Sequence, residues 1–588
     1  MTRTPVRPFR SREWFDAPGR PDMAALYMER HAADALTREE MRSGKPIIGI
    51  SQSGSDLAAC NRVHLKLVER VKAGIRDAGG IPMEFPMHPI FENCRRPTAA
   101  LDRNLAYLGL VEILNGYPID AVVLTTGCDK TTPASIMAAA TVDIPAITLN
   151  GGPMLDGWHE GELVGSGTVI WHSRRLLGAG EIDEEEFMRR ATSSAPSPGH
   201  CNTMGTASTM NAISEALGMS LPGNAAIPAP YRERAQMAYE TGRRIVDMAY
   251  EDLRPSKIIT REAVLNAIRL TTAIGGSSNA QPHITAIARH AGVEIGHADW
   301  MAHGYDLPLL VNMQPAGQFL SERFHRAGGV PAVLWELLQA GKLDGGALTV
   351  TGRTQAENLE GRETTDREVI LPFSAPLKER AGFLVLSGNL FDFAIMKTSV
   401  ISEAFRQRFL KGNVYEGRAI VFDGSDDYHH RINDPALGID EHSILVIRGA
   451  GVIGWPGSAE VVNMQPPDAL LKRGIAALPT LGDGRQSGTS DSPSILNASP
   501  ESAVGGGLAW LRTGDTIRID FEAGSCDALV DEAEIERRKA DPPPPIPESN
   551  TPWEELFREK TGQLADGMVL EFAIKYRSTA RKTPRHNH

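Results

Sequence analysis

The stretch from Ala121 to Pro133, AVVLTTGCDKTTP, constrains the fold of this chain more than any other segment. Its apolar, β-branched first half predicts a buried strand, and Gly127 ends that strand. The residues that follow predict the start of a helix, with Thr132 as its N-cap. A strand that passes through a short turn into a helix is the unit from which parallel α/β sheets are built, so this segment predicts such a sheet.

The pattern of the chain changes once, at about three fifths of its length. Short apolar strands alternate with helical segments up to about Pro372, as in KPIIGIS followed by NRVHLKLVERVKAGIRDAGG. From about Ala381 the chain consists of strand-like runs separated by Gly and Asp, such as RAIVFDG and HSILVIRGAG. We therefore expect an N-terminal α/β domain over residues 1–372 and a mostly β C-terminal domain over residues 373–588. A helical tail, TPWEELFREKTGQL, should follow the proline run Pro542–Pro545.

Composition narrows the classes of function. A length of 588 residues is enough for two domains with their own cores. The formal net charge of −12 disfavours nucleic-acid and membrane-surface partners. No apolar run is long enough to span a bilayer, and the basic N-terminus lacks the apolar segment of a signal peptide. The odd number of five cysteines argues against a disulfide framework and for reduced thiols in the cytoplasm.

Three of the cysteines share one context. Cys60, Cys128 and Cys201 each lie where a predicted strand or loop passes into a helix, which is where α/β folds collect ligand-binding groups. They do not have the close spacing of a zinc ribbon. Three thiolates from distant loops can hold an iron–sulfur cluster with one iron left open, although spacing alone favours buried, inert thiols.

The turn that follows the first strand described above offers two kinds of metal ligand. The thiolate of Cys128 is a soft ligand that suits iron or zinc, whereas the carboxylate of Asp129 is a hard one that suits magnesium. Lys130 stands next to them. For an isolated turn, a free cysteine beside a surface ion pair is the alternative interpretation.

A second polar loop, DGRQSGTSDSP, contains Ser487 and Thr489. Glycines on both sides let the backbone approach an anion closely, and several N–H groups can converge there. Ser487 is therefore a candidate base, because nearby N–H donors and a cation would lower its pKa. The alternative is an anion-binding loop in which Ser487 only donates a hydrogen bond.

Five segments together resemble a known family: GCDKTTP, PGHCNTMGTASTM, GGSSNAQPH, PGSAE and DGRQSGTSDSP. The chain is similar to the dihydroxy-acid dehydratases and phosphogluconate dehydratases from about Lys45 to Trp510. It resembles most the aldonic-acid branch of that family, with which it shares GWPGSAEVVNMQPPD and the C-terminal PRHNH. The resemblance implies a C-terminal barrel flanked by helices and a homo-oligomer, a dimer of dimers.

The resemblance also implies two metal centres. Cys60, Cys128 and Cys201 would hold a 2Fe–2S cluster, whereas Cys94 matches no cluster position. Cys526 is expected in a turn of the β domain, with a structural role. The residues that would hold Mg²⁺ are Glu92, Asp129, Glu460 and a carbamylated Lys130. Carbamylation is required because an unmodified lysine has three donors and no acceptor. An ordinary ion pair between Lys130 and these acids is the alternative. Glu92 departs from the dihydroxy-acid dehydratase pattern, which has Asp there.

The reaction implied is dehydration of an aldonic acid to its 2-keto-3-deoxy acid. Ser487 would be the base, and Thr489 would orient it or bind a substrate oxygen. His588 would contact substrate hydroxyls by reaching a neighbouring subunit's pocket. D-xylonate, a substrate of pentose catabolism, is the expected substrate, with L-arabinonate, D-gluconate and galactonate as alternatives. The polar Gln486 disfavours dihydroxy-acid dehydration in branched-chain amino-acid synthesis. A non-catalytic iron–sulfur redox protein is the alternative from another class.

Overall fold

A computed structural model describes residues 3–16, 19–33, 36–403, 405, 407, 412–541 and 546–587. His588 and the proline run Pro542–Pro545, to which the sequence assigned roles, lie outside the described residues. None of the described helices is both long enough and apolar enough to cross a bilayer.

The N-terminal half is built on a four-stranded parallel sheet. Its strands are β1 (Ile47–Gln52), β2 (Ile81–Pro86), β3 (Ala121–Thr126) and β4 (Ala146–Asn150), in the order β2-β1-β3-β4. Every residue of β1, β3 and β4 is buried. This explains why these strands read as continuous apolar runs rather than as an alternation of polar and apolar residues. The predicted parallel α/β architecture is confirmed.

Helices make up most of the rest of this half. The short hairpin β5 (Gly157–His159) and β6 (Glu162–Val164) follows β4. The α-helices are Arg12–Phe15, Pro21–Ala32, Arg38–Met41, His64–Asp77, Ala99–Gly116, Thr131–Val142, Thr168–Ala179, Glu184–Ser193, Thr206–Ala216, Arg232–Glu251, Pro255–Ile258, Arg261–Ala273, Ala280–Ala291, His297–Trp300, Ser321–Arg326, Gly329–Gln339 and Gln355–Leu359. A π-helical turn, Met301–Tyr305, and a 3-10 turn, Ala59–Asn61, complete the set of this half.

The predicted alternation of strands and helices stops earlier than expected. From Val164 to Leu371 the described residues contain helices and isolated β-bridges but no further strand. The reason is burial: the helices Thr206–Ala216 and Ala280–Ala291 are buried on nearly all sides and pack against Thr131–Val142. A helix without a polar face has short apolar runs that cannot be told from buried strands by periodicity.

The C-terminal half contains a closed eight-stranded barrel. Its strands are β7 (Phe383–Gly388), β8 (Phe391–Lys397), β9 (Val414–Asp423), β10 (Ser443–Arg448), β11 (Thr480–Gly482), β12 (Ser494–Ser499), β13 (Thr516–Asp520) and β14 (Ser525–Ala528). The order around the ring is β10-β11-β12-β8-β7-β14-β13-β9. The flanking helices are Gly424–Arg431, Asp468–Leu471, Glu532–Lys539 and Pro552–Lys560. Short 3-10 turns are Thr398–Val400, Pro435–Leu437, Ser502–Val504, Gly507–Ala509 and Thr579–Arg581.

This barrel and its flanking helices confirm the predicted, mostly β C-terminal architecture. The helix Pro552–Lys560 confirms the predicted helical tail. Strands β11 and β12 were not predicted, although they flank the loop DGRQSGTSDSP. Strand β11 has only three residues, and β12 has the mixed sequence SILNAS. The domain boundary at residues 372 and 373 stays a prediction.

Candidate active site

The turn after β3 lies at the start of a buried helix. The helix begins at Thr131, with Lys130 in the N-cap position. The predicted N-cap at Thr132 is therefore wrong by two positions, since the turn is tighter than the sequence suggested. All twelve residues of the helix are buried, so the turn that precedes it is held in the interior of the protein.

The thiols of Cys60 and Cys128 are neighbours. They follow β1 and β3, which pair in parallel, and the carboxyl ends of parallel strands meet at one edge of a sheet. A hydrogen bond between the two thiols, burial, and the nearness of Cys201 raise the pKa of Cys60 well above its usual value. The turn itself is held by Asn61, whose Oδ1 accepts a hydrogen bond from the backbone N–H of Cys128 at 2.7 Å.

Cys201 completes a group of three thiols. Its burial raises the pKa of Cys201 to about 12, and Ser166 Oγ donates to Cys201 Sγ at 3.4 Å. Cys94, which matches no cluster position, is exposed. Cys526 is buried in the barrel strand β14, so its predicted place in a turn is wrong. The structure thus brings together the three cysteines singled out from the sequence and keeps the other two apart from them.

Lys130 lies at the centre of a second group. Its side chain is fully buried, and its ammonium contacts one oxygen of each of three carboxylates. The distances from Lys130 Nζ are 2.9 Å to Glu92 Oε2, 3.2 Å to Asp129 Oδ2 and 3.4 Å to Glu460 Oε1. Two of these acids come from the N-terminal half and the third from the segment between β10 and β11. The four residues predicted as magnesium ligands therefore meet between the two halves of the chain.

The charges of this group shift one another's pKa values. Burial lowers the pKa of Lys130, but the three carboxylates outweigh burial and hold that pKa above its usual value. Burial likewise opposes the charged form of Glu92, yet Lys130 and Arg485 keep the pKa of Glu92 below normal. The pKa of Glu460 is raised, because burial and the charge of Glu92 prevail at its greater distance from the ammonium.

Arg485 and Asn279 support this carboxylate group. Arg485 is fully buried, and its guanidinium donates to Glu460 Oε1 at 3.0 Å and to the carbonyl of Ser458 at 2.8 Å. Asn279 Nδ2 donates to Glu460 Oε1 at 2.6 Å and to the carbonyl of Gln486 at 3.1 Å. Arg485 was not among the predicted site residues, although it lies two residues before Ser487 in a segment that carried the resemblance. The sequence predicted that GGSSNAQPH opens or lies along a helix and packs near the site. Asn279 lies at the start of that helix and bonds Glu460 directly.

The candidate base lies in the loop between β11 and β12. Ser487 Oγ is half-buried and lies 2.9 Å from Thr489 Oγ1. Thr489 in turn accepts a hydrogen bond from Trp171 Nε1 at 2.9 Å. Because Asn279 bonds both Glu460 and the residue before Ser487, the serine loop and the carboxylate group are connected through one side chain.

Comparison with known proteins identifies the family. Residues 45–358 match the family described as dihydroxy-acid/6-phosphogluconate dehydratase N-terminal, and residues 368–568 match its C-terminal counterpart. The chain belongs to this family. It is therefore a dehydratase, a hydro-lyase, as the resemblance of its motifs implied.

Individual relatives cover almost the whole dehydratase. The D-xylonate dehydratase of Caulobacter vibrioides is 73% identical over 590 residues, which span 100% of this chain and 99% of the relative. The L-arabinonate dehydratase of Rhizobium leguminosarum is 43% identical over 91% of both chains. The dihydroxy-acid dehydratase of Caldanaerobacter subterraneus is 38% identical over 88% of this chain and 91% of the relative.

The donor atoms of the dehydratase fit the two expected metals in kind. Three buried carboxylates are hard oxygen ligands of the type that Mg²⁺ prefers, and three neighbouring thiols are the ligand type of iron–sulfur clusters. Among the described residues the buried Glu92 Oε2 has no regular hydrogen-bond donor, and it lies 2.9 Å from the Lys130 ammonium. Within the described residues no three acidic, His or Cys side chains form a ready-made metal cage. The three carboxylates contact the Lys130 ammonium.

The C-terminal tail ends against the N-terminal helix Pro21–Ala32. His586 Nδ1 lies 3.2 Å from the hydroxyl of Tyr27, and the two rings stack with centroids 6.1 Å apart. Asn587 Oδ1 accepts a hydrogen bond from the same hydroxyl at 3.2 Å. Within one chain the described part of the tail is thus docked on the protein's own surface.

Proposed function

We propose that this dehydratase converts an aldonic acid, with D-xylonate as the preferred substrate, into its 2-keto-3-deoxy acid and water. The observation that carries the proposal is the 73% identity, over the whole chain, to a protein named D-xylonate dehydratase. The polar Gln486 beside the candidate base supports a hydroxylated substrate, because an alkyl-bearing dihydroxy acid would favour apolar neighbours. L-arabinonate is the first alternative, given the 43% identical L-arabinonate dehydratase.

The cofactors we propose are a 2Fe–2S cluster held by Cys60, Cys128 and Cys201, and Mg²⁺. When bound, the two would supply Lewis acidity toward the leaving hydroxyl and toward the substrate's carboxylate end. The thiols are neighbours although they are far apart in sequence, and the cluster would need them as thiolates. Burial raises the pKa of Cys201 and Cys60, so without a metal these thiols stay protonated and iron must displace their protons.

Magnesium would be held by Glu92, Asp129, Glu460 and the carbamate of Lys130. Carbamylation replaces one positive charge on Lys130 by one negative charge, and a divalent cation compensates this change of two units. The summed charge of the buried group is then the same as in the ion-paired state, where the ammonium faces the same three carboxylates. Because the net charge is equal, replacing the ion-paired lysine by the carbamate with Mg²⁺ adds no uncompensated charge to the protein interior.

Ser487 is the proposed base and Thr489 its partner. Ser487 Oγ would take the proton from C2 of the substrate while the hydroxyl leaves from C3, and the resulting enol would tautomerise to the ketone. The hydroxyl of Thr489, 2.9 Å away, and its backbone N–H, 3.4 Å away, can both donate to Ser487 Oγ. Two donors directed at one oxygen favour its ionised form.

The assembly proposed is a homo-oligomer, a dimer of dimers, in the cytoplasm. The five cysteines are all free, which suits a reducing compartment. In such an assembly His588 would reach a neighbouring subunit's pocket and donate to substrate hydroxyls. The described part of the tail lies on the surface, where His586 contacts Tyr27.

A substrate panel tests this function. Iron-replete protein with Mg²⁺ should show its highest kcat/KM on D-xylonate, lower values on L-arabinonate, D-gluconate and D-galactonate, and the lowest on a short dihydroxy acid. A preference for the dihydroxy acid would contradict the proposed substrate class. A reversible redox titration without turnover of any acid would instead support an electron carrier.

A pair of serine variants tests the base. Ser487→Ala should keep its metals and lose at least about a hundredfold in kcat, which is the lower range for a positioned base. Ser492→Ala, in the same loop, is the matched control and should stay within a few-fold of wild type. If Ser487→Ala also stays within a few-fold, another group is the base.

A further inference from the structure

The segment from Gly165 to Arg175, GSGTVIWHSRR, has no part in the proposed function, yet it contacts the site at two points. Near its start, Ser166 donates to Cys201, and one helical turn into Thr168–Ala179, Trp171 donates to Thr489. Further along, Arg175 forms two hydrogen bonds with Asp491, at 2.8 and 3.1 Å. The helix Thr168–Ala179 of the N-terminal half thus contacts the loop of the C-terminal half that contains Ser487.

The contact between Trp171 and Thr489 has a defined direction. An indole N–H only donates, so Thr489 Oγ1 is the acceptor of that bond. The Thr489 hydroxyl retains its own proton, and Ser487 Oγ is the only acceptor within hydrogen-bonding distance of it in the described part of the chain. Thr489 is almost completely buried, and an unpaired hydroxyl proton there would be costly. The proton of Thr489 therefore points at Ser487.

Two glycines hold the Thr489 side chain in this position. A Cβ at Gly167 would lie 2.4 Å from Thr489 Oγ1, and a Cβ at Gly205 would lie 2.8 Å from Thr489 Cγ2. No other residue type fits against the threonine at this distance without moving it. The threonine is consequently packed between the start of the Trp171 helix and the loop that follows Cys201.

We propose that Trp171 is a positioning residue that directs the hydroxyl of Thr489 at Ser487 and so stabilises the ionised serine. The inference deepens the proposed function and depends on Ser487 being the base. Hydrogen bonds in a chain strengthen one another, and a hydroxyl that accepts from Trp171 is a better donor to its own acceptor. In the described part of the chain the indole N–H of Trp171 bonds Thr489 and neither Ser487 nor a proposed metal ligand, so its effect on the serine passes through Thr489.

Kinetics of four single variants test the proposal. Trp171→Phe keeps an aromatic side chain and removes the indole N–H, and it should lower kcat about tenfold with KM nearly unchanged. Thr489→Val should lower kcat by at least as much, whereas Thr489→Ser keeps the hydroxyl and should lose less of kcat than Thr489→Val does. Trp158→Phe, at an exposed tryptophan, is the matched control and should change neither constant.

Double variants separate this inference from the proposed function. Trp171→Phe should cost nothing further when combined with Thr489→Val or with Ser487→Ala, because all three act on the same oxygen. Multiplied losses in both double variants, or a change in KM alone, would overturn the inference. Full activity of Ser487→Ala would show instead that the proposed base is wrong.

A spectroscopic measurement tests the hydrogen bond without turnover. In protein labelled with ¹⁵N-indole tryptophan, the signal that disappears in Trp171→Phe belongs to Trp171. Its indole proton should move upfield in Thr489→Val and stay in place in Thr489→Ser. An unchanged signal in Thr489→Val would mean that the bond is not formed, and the inference would fail whatever the kinetics.

Discussion

Asn279 Nδ2 lies 2.6 Å from Glu460 Oε1, and this hydrogen bond joins the start of a helix in the N-terminal half to a carboxylate beside the barrel. The same amide donates to the carbonyl of Gln486. One side chain thus fixes both a proposed magnesium ligand and the loop of the proposed base.

Asn279→Ala should weaken Mg²⁺ binding by about tenfold to a hundredfold, the usual cost of removing a residue that orients a metal ligand. Isothermal titration with Mg²⁺ measures this effect. Asn266→Ala is the matched control, because Asn266 is equally buried but bonds Asp344 away from the site. Equal affinities in the two variants would show that Asn279 does not orient Glu460.

The proposed cluster ligands predict which cysteine variants lose the brown colour of an iron–sulfur protein and which keep it. Replacing Cys60, Cys128 or Cys201 by Ser should remove colour and activity, with iron and sulfide falling from about two each per chain. Cys94→Ser, at an exposed position, should keep both, and so should Cys526→Ala in the barrel. Full activity in a colourless Cys201→Ser protein would refute the cluster assignment.

Gly205→Ala should reduce activity through Thr489. The backbone at Gly205 has a φ of −76°, which alanine adopts freely, so the effect is steric: the new Cβ would lie 2.8 Å from Thr489 Cγ2. We expect kcat to fall while iron content and Tm stay close to wild type. Gly109→Ala, where a new Cβ meets no atom within 4 Å, should keep kcat and raise Tm slightly. A wild-type kcat in Gly205→Ala would show that the loop can move to accept the new methyl group without disturbing Thr489.

Buried histidines should make the fold sensitive to acid. Burial, together with the charges of Arg103, Arg289 and Arg577, lowers the pKa of His290 from 6.5 to about 3. Between these values the unfolded chain binds more protons than the folded one, so the free energy of unfolding falls as the pH falls through this window.

His290→Phe keeps the ring packed on Tyr107 and removes this titration. At about pH 5 the wild-type histidine should cost about 2 kcal/mol relative to pH 7.5, so the Tm of the variant should drop less between these two pH values. His430→Gln, at an exposed position, is the control and should follow the wild type. An identical Tm loss in His290→Phe would mean that His290 does not titrate in this way.

Deleting Pro584–His588 tests the tail. The deletion should raise KM or lower kcat for long sugar acids more than for a short dihydroxy acid, because only the longer substrates carry distal hydroxyls. It also removes the contact of His586 with Tyr27, and Tyr27→Phe controls for that loss. Equal effects on both substrates would show that the tail has only a structural role.

Much of the fold was predictable because burial leaves a simple pattern in the sequence. Strands β1, β3 and β4 are buried at every position and read as apolar runs. Strands β11 and β12 could not be found in this way. They are strands because their neighbours in the ring pair with them, and Ser494–Ser499 on its own is as polar as a loop.

In the candidate site, too, some residues could be predicted from the sequence and others could not. The cysteines and the acidic residues could be named because each stands in a motif that resembles a family segment. Arg485 stands in such a motif too, but its role depends on partners that only the fold brings near, such as Thr98, 387 positions away. The same holds for Trp171, whose partner Thr489 is 318 positions distant.

The closure of the barrel determines how the preference among sugar acids can change. Strands β11 and β12 each pair on both sides, so neither can peel away when the loop between them is altered. The loop between them can therefore change at a single side chain while its two anchors stay in register. A library at Gln486 alone, with Arg485 and Ser487 kept, can be screened for new substrates while the barrel is retained.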